Sequence, residues 1–250
     1  MHKHLAVILI ILGSVTLAAF SFTATLTTRS QVSSQHQQPI RDPDFSRFPI
    51  VDFASPGPND PGLKAAREAK GRKYAMKGVS PISEQSDKIF SAVDWERDLT
   101  ALPFEQSSAV VIGTVIRAGA HLSPDKTAIY SEFQINLDTV VKNDPVNEVR
   151  VGSPLIVERN GGRARFPSGK IVVSWVRNQN MPETGKRYVL FLTHSFQSRD
   201  DAPKDFHVLT GYELRNGLVS PLDDIHPFAI YRGVTESAFL SDLFKLNVGN

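Results

Sequence analysis

The chain is predicted to be mainly β, an antiparallel barrel or sandwich with flanking N- and C-terminal helices, placed after an N-terminal hydrophobic helix. Three observations carry this. Residues 107–142 hold two long strand patterns joined through Ser123, Pro124 and Asp125. Short apolar runs then recur as far as Leu222 between Gly, Pro and Asn turns, the spacing of a barrel or sandwich. Residues 5–26 carry no charged side chain.

The totals exclude several function classes. Net charge is only +2 over 250 residues, so no nucleic-acid partner is expected. There is no cysteine, which removes disulfides, thiolate nucleophiles, zinc–thiolate centres and a lipoprotein anchor. No cofactor motif is present, and no cofactor or metal is expected.

In chain order, the run LAVILIILGSVTLAAFSFTATL (5–26) is first. As a helix at about 1.5 Å per residue it is ~33 Å long, enough to cross a bilayer. It fits a cleaved signal peptide, with small-x-small sites at Thr16 to Ala18 and Ala19 to Ser21, or an uncleaved signal anchor. Lys3 before the run and Arg29 and Arg41 after it barely discriminate orientation, and the rest of the chain is placed outside the cytoplasm because a short N-terminus followed by a long exported segment is the usual arrangement: membrane-anchored through 5–26, or periplasmic or secreted after cleavage.

Residues 27–80 read as a disordered linker. Pro39, Pro43, Pro49, Pro56, Pro58 and Pro61 interrupt regular structure; Phe45, Phe48, Ile50, Val51 and Phe53 fit either a short segment that docks on the domain or scattered apolar residues in a flexible arm, and the second is preferred. Within it Lys64, Arg67, Lys70, Arg72, Lys73 and Lys77 form a basic stretch. It suits contact with anionic lipid or another polyanion, but the plainer assignment, a solvated linker weakened as a helix by Gly71, is preferred. The spacing of Ile89, Val93, Trp95 and Leu99 predicts a helix over 81–102, ended by Pro103.

The domain itself is assigned to 81–250. Ala109 to Ile116 is apolar on both faces, as for a strand covered on both sides. Ile129, Phe133, Ile135, Leu137 and Val141 alternate with Tyr130, Glu132, Gln134, Asn136 and Asp138, giving a long strand with one wet face. Further strands are read at 148–151, 155–159, 171–176, 186–193, 206–211, 212–215 and 218–222. Asn216 and Gly217 are a hairpin signal. Thr235 caps a last helix with Phe239, Leu240, Leu243 and Phe244 on its apolar stripe.

Four places offer residues suited to chemistry. Ser123 and Lys126 match the S-x-x-K spacing of a serine with a lysine base, but they sit in a turn. Asp223, Asp224 and His226, with His194 or His207, supply metal-ligand types, although flanking prolines favour a plain loop. His194 and Ser195 with Asp200, Asp201 or Asp205 imitate a triad without its Gly-x-Ser-x-Gly elbow. The preferred candidate is a hairpin tip at Gly161 and Gly162, with Arg163, Arg165 and Phe166. Charge, an aromatic ring and permissive glycines on one loop suit an anionic or oligomeric ligand. None of these is assigned a catalytic or metal-binding role.

The segments AVVIGTVIRAG, YSEFQINLDTVVKND, VGSPLIVERNGGRARFPSG, PETGKRYVLFL and HVLTGYELRNGLV resemble a group of uncharacterised exported bacterial β-domain proteins. Its recurring strands are VVxGxV, F-x-V-x-x-V-x-K, VGxxIxVxRxGG and GxxYVLFL. The order of elements is also similar to netrin-type OB-like barrels, the fold of metalloproteinase inhibitors. Those depend on an N-terminal cysteine and disulfides, which this chain lacks, so the resemblance implies the fold and no inhibitor function. The expected protein is a non-catalytic, membrane-tethered binding or envelope-interaction module. Its partner would be an envelope protein or an anionic surface polymer. The alternatives are a Ser/Lys or metal-dependent hydrolase and a passive structural domain.

Overall fold

A computed structural model describes residues 43–86, 88–91, 95, 98–194, 205–223 and 225–248, all within the unit Ile40–Asn250. The expected hydrophobic helix at 5–26 lies outside the described residues. Among those described, no helix is long and apolar enough to cross a membrane.

A 3-10 turn at Phe45–Arg47 leads into β1 (Ile50–Asp52) and helix α1 (Pro61–Arg72), then β2 (Lys88–Ser91). The long strands β3 (Ala109–Leu122) and β4 (Ile129–Lys142) follow, then β5 (Leu155–Asn160), β6 (Gly162–Arg165) and β7 (Ile171–Val176). The chain ends with β8 (Arg187–His194), β9 (Phe206–Arg215), β10 (Leu218–Pro221), the short helix α2 (His226–Ala229) and helix α3 (Glu236–Val248).

Five strands close a barrel. β3 pairs with β4, β4 with β5, β5 with β9, β9 with β8, and β8 returns to β3. Every pairing is antiparallel except β5 with β9. Inward residues of all five strands form one core, including Val111, Phe133, Val157, Leu190 and Val208. β3 is apolar on both faces because it separates two cores. Val111 and Val115 point inward, while Val110 and Ile112 join a second cluster with Phe191, Tyr212, Phe228, Phe239 and Leu243 under α2 and α3. At the β9–β10 turn Asn216 and Gly217 take φ of 53° and 74°, as a primed hairpin turn requires.

A second sheet, ordered β1-β6-β7-β2, is built by residues inserted between β5 and β8 together with segments from the N-terminal side. Its Val173 and Trp175 join the barrel core, and its Ala164, Phe166 and Val172 pack on Ala120 and Ile129 of the long hairpin.

The structure corrects three expectations about these elements. From residue 43 the supposed linker belongs to the domain: β1 pairs in parallel with β6, and Phe48 is 3% exposed in the barrel core. The prolines work with this structure. Asp60 caps α1 by accepting from Leu63 N at 2.8 Å, and Pro61 occupies its first turn, where no N–H is needed. The predicted helix over 81–102 is replaced at Lys88–Ser91 by a strand parallel to β7, because pairing with an open sheet edge overrides helical spacing. Residues 92–94, 96 and 97 lie outside the described residues. Finally, 148–151 is a loop, with Val149 N and O both bonded to the Asn143 side chain.

Candidate functional site

The loop that the sequence favours as a ligand site is not a hairpin tip. Gly161 and Gly162 are buried where the chain leaves the barrel after β5 and enters the second sheet as β6. They take φ of 103° and 144°. A Cβ on Gly161 would stand 2.6 Å from Ser174 O, and one on Gly162 2.9 Å from Ile129 Cγ2. Arg163 donates from Nε to Phe48 O at 2.8 Å, holding the N-terminal segment in place. Phe166 is buried and stacked on Phe53 with centroids 4.2 Å apart. Only Arg165 is exposed, 3.8 Å from Asp52. Glycines, arginines and ring thus build a sheet-to-sheet crossing, and the expected ligand loop is withdrawn.

The other sequence candidates are also engaged in structure. Ser123 Oγ donates to Asp125 at 2.6 Å and accepts from Thr127 N and Ala128 N. The Lys126 ammonium lies 4.5 Å from the Phe53 ring centroid, in a cation–π contact. Serine and lysine are therefore spent on the turn. Asp223 is wholly buried: it accepts from Arg159 Nη2 at 2.7 Å, Asn180 N at 2.8 Å and Thr210 Oγ1 at 2.9 Å. His226 is exposed at the start of α2, and Asp224 lies outside the described residues. His194 Nε2 meets Asp144 at 2.8 Å, while Ser195, Asp200 and Asp201 lie outside the described residues. Among the described residues no group of three or more His, Asp or Glu is placed to hold a metal.

Two sites have no counterpart among the sequence candidates. The first is a cleft of about 220 Å³ beside the barrel end, with Phe48, Met181, Tyr188 and Leu222 among its apolar lining. Five side chains of alternating charge line it in an unbroken chain. Asp44 meets Arg47 at 2.8 Å, Arg47 meets Glu183 at 3.0 Å, Glu183 meets Lys186 at 2.7 Å, and Lys186 meets Glu213 at 3.0 Å. Asn180, also in the lining, connects the cleft to the buried Arg159–Asp223 pair through its backbone N–H.

The second lies under α1, on the outer side of β4, β5 and β9. Glu132 and Glu158 are directly opposite each other in the β4–β5 register, and Asp205 adds a third carboxylate just before β9. Like charges so placed destabilise a sheet. They are balanced from α1 and the residues after it. Lys70 reaches Glu132 at 2.8 Å and Glu158 at 3.0 Å, and Lys73 reaches Glu158 at 2.6 Å and Asp205 at 3.0 Å. The Tyr74 hydroxyl donates to Glu158, and its ring stacks on Tyr130 with centroids 4.3 Å apart. Residues 67, 70, 73 and 74 share one helical face by their spacing. Gly71 lets that face approach the long hairpin's turn, since a Cβ there would be 3.0 Å from Pro124 Cδ.

The local field follows from these contacts. Burial opposes ionisation of Glu132, but hydrogen bonds from His121 and Lys70 outweigh it and hold the carboxyl at about 2. Burial likewise disfavours the Lys70 cation, and attraction from Glu158 and Glu132 overcomes it, raising the ammonium above its ordinary value. Burial first, then the Glu158 charge, pushes the Tyr74 phenol well up. His207, level with Glu158 on β9, is lowered to about 3 by burial and by the neighbouring Arg159 and Lys73. Arg67 can only donate, so at 2.8 Å it fixes His121 Nδ1 as an acceptor and leaves Nε2 to donate to Glu132 at 2.9 Å. This arrangement holds opposite charges in mutual contact.

The basic stretch carries a signal for this second site, in lysines at i and i+3 followed by tyrosine. Nothing local identifies the acids that complete it, which come from β4, β5 and the residue before β9. The alternating charges around the cleft are dispersed between residues 44 and 213 and leave no local pattern. Compared with family models, curated proteins and solved structures, the chain has no match.

Proposed function

We propose that this protein is a non-catalytic binding module of the extracytoplasmic face, tethered through residues 5–26 or released by cleavage after them. The observation that carries the binding role is the cleft beside the barrel end: an accessible, mostly polar concavity whose lining alternates in charge, with Phe48, Met181, Tyr188 and Leu222 among its apolar residues. Both signs of charge on the rim suit a polypeptide segment of an envelope protein better than an anionic polymer. The closed five-strand barrel β3-β4-β5-β9-β8, with its one parallel pairing, supports an OB-like reading and the resemblance to netrin-type domains. The fold of such barrels carries binding roles without dictating a ligand. A hydrolase is the weaker alternative, since Ser123 and Lys126 are both engaged in the turn.

The test is site-specific photocrosslinking in cells expressing the full chain, with the photoreactive residue at Asp44, an exposed residue of the cleft lining, and, as control, at exposed Ile230. A protein adduct formed from position 44 and lost on Arg47→Ala/Glu183→Ala replacement is expected. Equal adducts from both positions, or none from position 44, would overturn the cleft as the binding site. N-terminal sequencing of the mature protein separates anchor from cleaved signal. Protease protection in intact cells together with cytosolic fractionation would sink the extracytoplasmic placement.

A further inference from the structure

We propose that the outer face of β4, β5 and β9 formed by Tyr130, Glu132, Glu158 and Asp205 is a docking site for a basic helix of a partner protein, with α1 as its resident, exchangeable occupant. The proposal is independent of the cleft beside the barrel end.

Four observations support it. The face is acid-rich by construction, with Glu132 opposite Glu158 and Asp205 alongside, so it requires a cationic cover. The helical part of the cover is almost wholly polar, and the cover's one buried ring, Tyr74, follows α1. Within α1 only Gly71 is buried, and Leu63, the one large apolar residue of its first turn, is 63% exposed. A 12-residue helix is marginal in isolation, so α1 owes its order to the latch of Lys70, Lys73 and Tyr74. Segments held by few buried apolar contacts open before the rest of a domain does. Finally, the fit is incomplete: Tyr130 is wholly buried beneath Tyr74, yet among the described residues its hydroxyl has no hydrogen-bond partner. A competing helix that repeats the two lysines and the aromatic ring, and adds an acceptor or donor for that hydroxyl, satisfies the face better than α1 does. Its recognition pattern is lysine at i and i+3 with an aromatic residue at i+4, read from the occupant already in place.

The probe is a fluorescent synthetic peptide of residues 61–77, added to the full chain in detergent micelles and followed by anisotropy. Opening the latch with Lys70→Glu/Lys73→Glu removes the internal competitor, so the peptide is expected to bind this variant at least ~10-fold more tightly than wild type. Adding Glu158→Lys to the opened variant should abolish binding. Equal affinity for wild type and a folded opened variant would overturn the proposal. So would wild-type protein that dimerises by exchanging α1 between copies, since the occupant would then be a second copy. Should the opened variant not fold, hydrogen exchange on wild type decides. Amides of α1 are expected to exchange at least ~10-fold faster than those of β4 and to accelerate in 1 M salt; protection equal to that of β4 would refute exchangeability.

Discussion

Glu132 and Glu158 stand opposite each other on adjacent strands, and the Lys70 ammonium bridges them at 2.8 and 3.0 Å. One cation from a helix distant in sequence thus makes a repulsive cross-strand pair tolerable. Replacing it with the similarly shaped methionine leaves the two carboxylates facing each other. Lys70→Met is expected to lower stability by ~1–3 kcal/mol, discounted from a fully buried pair because Lys70 is 18% exposed. In urea denaturation the double variant Lys70→Met/Glu158→Gln should lose less than the sum of the single changes. Strict additivity would show that the bridge carries no coupling.

Acid should destabilise the domain in two steps. His207 stays neutral in the fold down to about 3, against an ordinary 6.5, so the unfolded chain binds the extra proton and stability falls as pH drops from 6.5 towards 3. Glu132, held at about 2 against an ordinary 4.5, contributes stability that is complete above 4.5 and lost as pH falls from there towards 2. A tenfold difference in proton affinity between the folded and unfolded chain corresponds to about 1.4 kcal/mol. Chemical denaturation at stepped pH should show His207→Leu flattening the first fall and Glu132→Gln the second. A His207→Leu profile identical to wild type between pH 6.5 and 4.5 would contradict the assignment.

Arg159 and Asp223 are both wholly buried and 2.7 Å apart, with Arg159 on the same side of β5 as Val157. Removing one partner strands the other charge. Arg159→Met is expected to cost ~3–5 kcal/mol in thermal or urea denaturation. Arg159→Met/Asp223→Leu should recover part of that loss, since an apolar pair avoids the desolvation of two ions. A double variant worse than Arg159→Met alone would indicate that Asp223 acts chiefly through Asn180 and Thr210.

The glycines of the sheet crossing can be separated from an ordinary turn glycine. Gly169, in the β6–β7 turn, has φ of 89° and open space around it, so Gly169→Ala should cost only about 1 kcal/mol of backbone strain. Gly161→Ala adds a backbone clash at 2.6 Å and should cost at least ~2 kcal/mol more. Equal melting temperatures for the two variants would mean that the crossing relaxes freely.

Much of the barrel was legible because its signals are local. Alternation along β4, the two-sided apolar run of β3 and the Asn216–Gly217 turn each depend on neighbours in the chain. The supposed wet face of β4 shows where that ends. Tyr130 is even-numbered with Gln134 and Asn136, yet it is fully buried, because α1 covers one end of the face. Phe45, Phe48 and Phe53 were likewise ambiguous. Their pattern has no period, and only the edge of β6 and the barrel opening give them something to bury against.

By itself the sequence determined a mainly β domain, its principal hairpins, its closing helix and the absence of any thiol chemistry. These follow from side-chain periodicity and turn stereochemistry, which act over a few residues. The tertiary structure alone decided that 43–80 belongs to the domain, that the Gly161–Gly162 segment is a buried crossing, and that Lys70 and Lys73 serve acids on β4, β5 and the residue before β9. Those outcomes rest on charges and edges that meet only when the barrel closes, and no local pattern encodes a partner that lies far away along the chain.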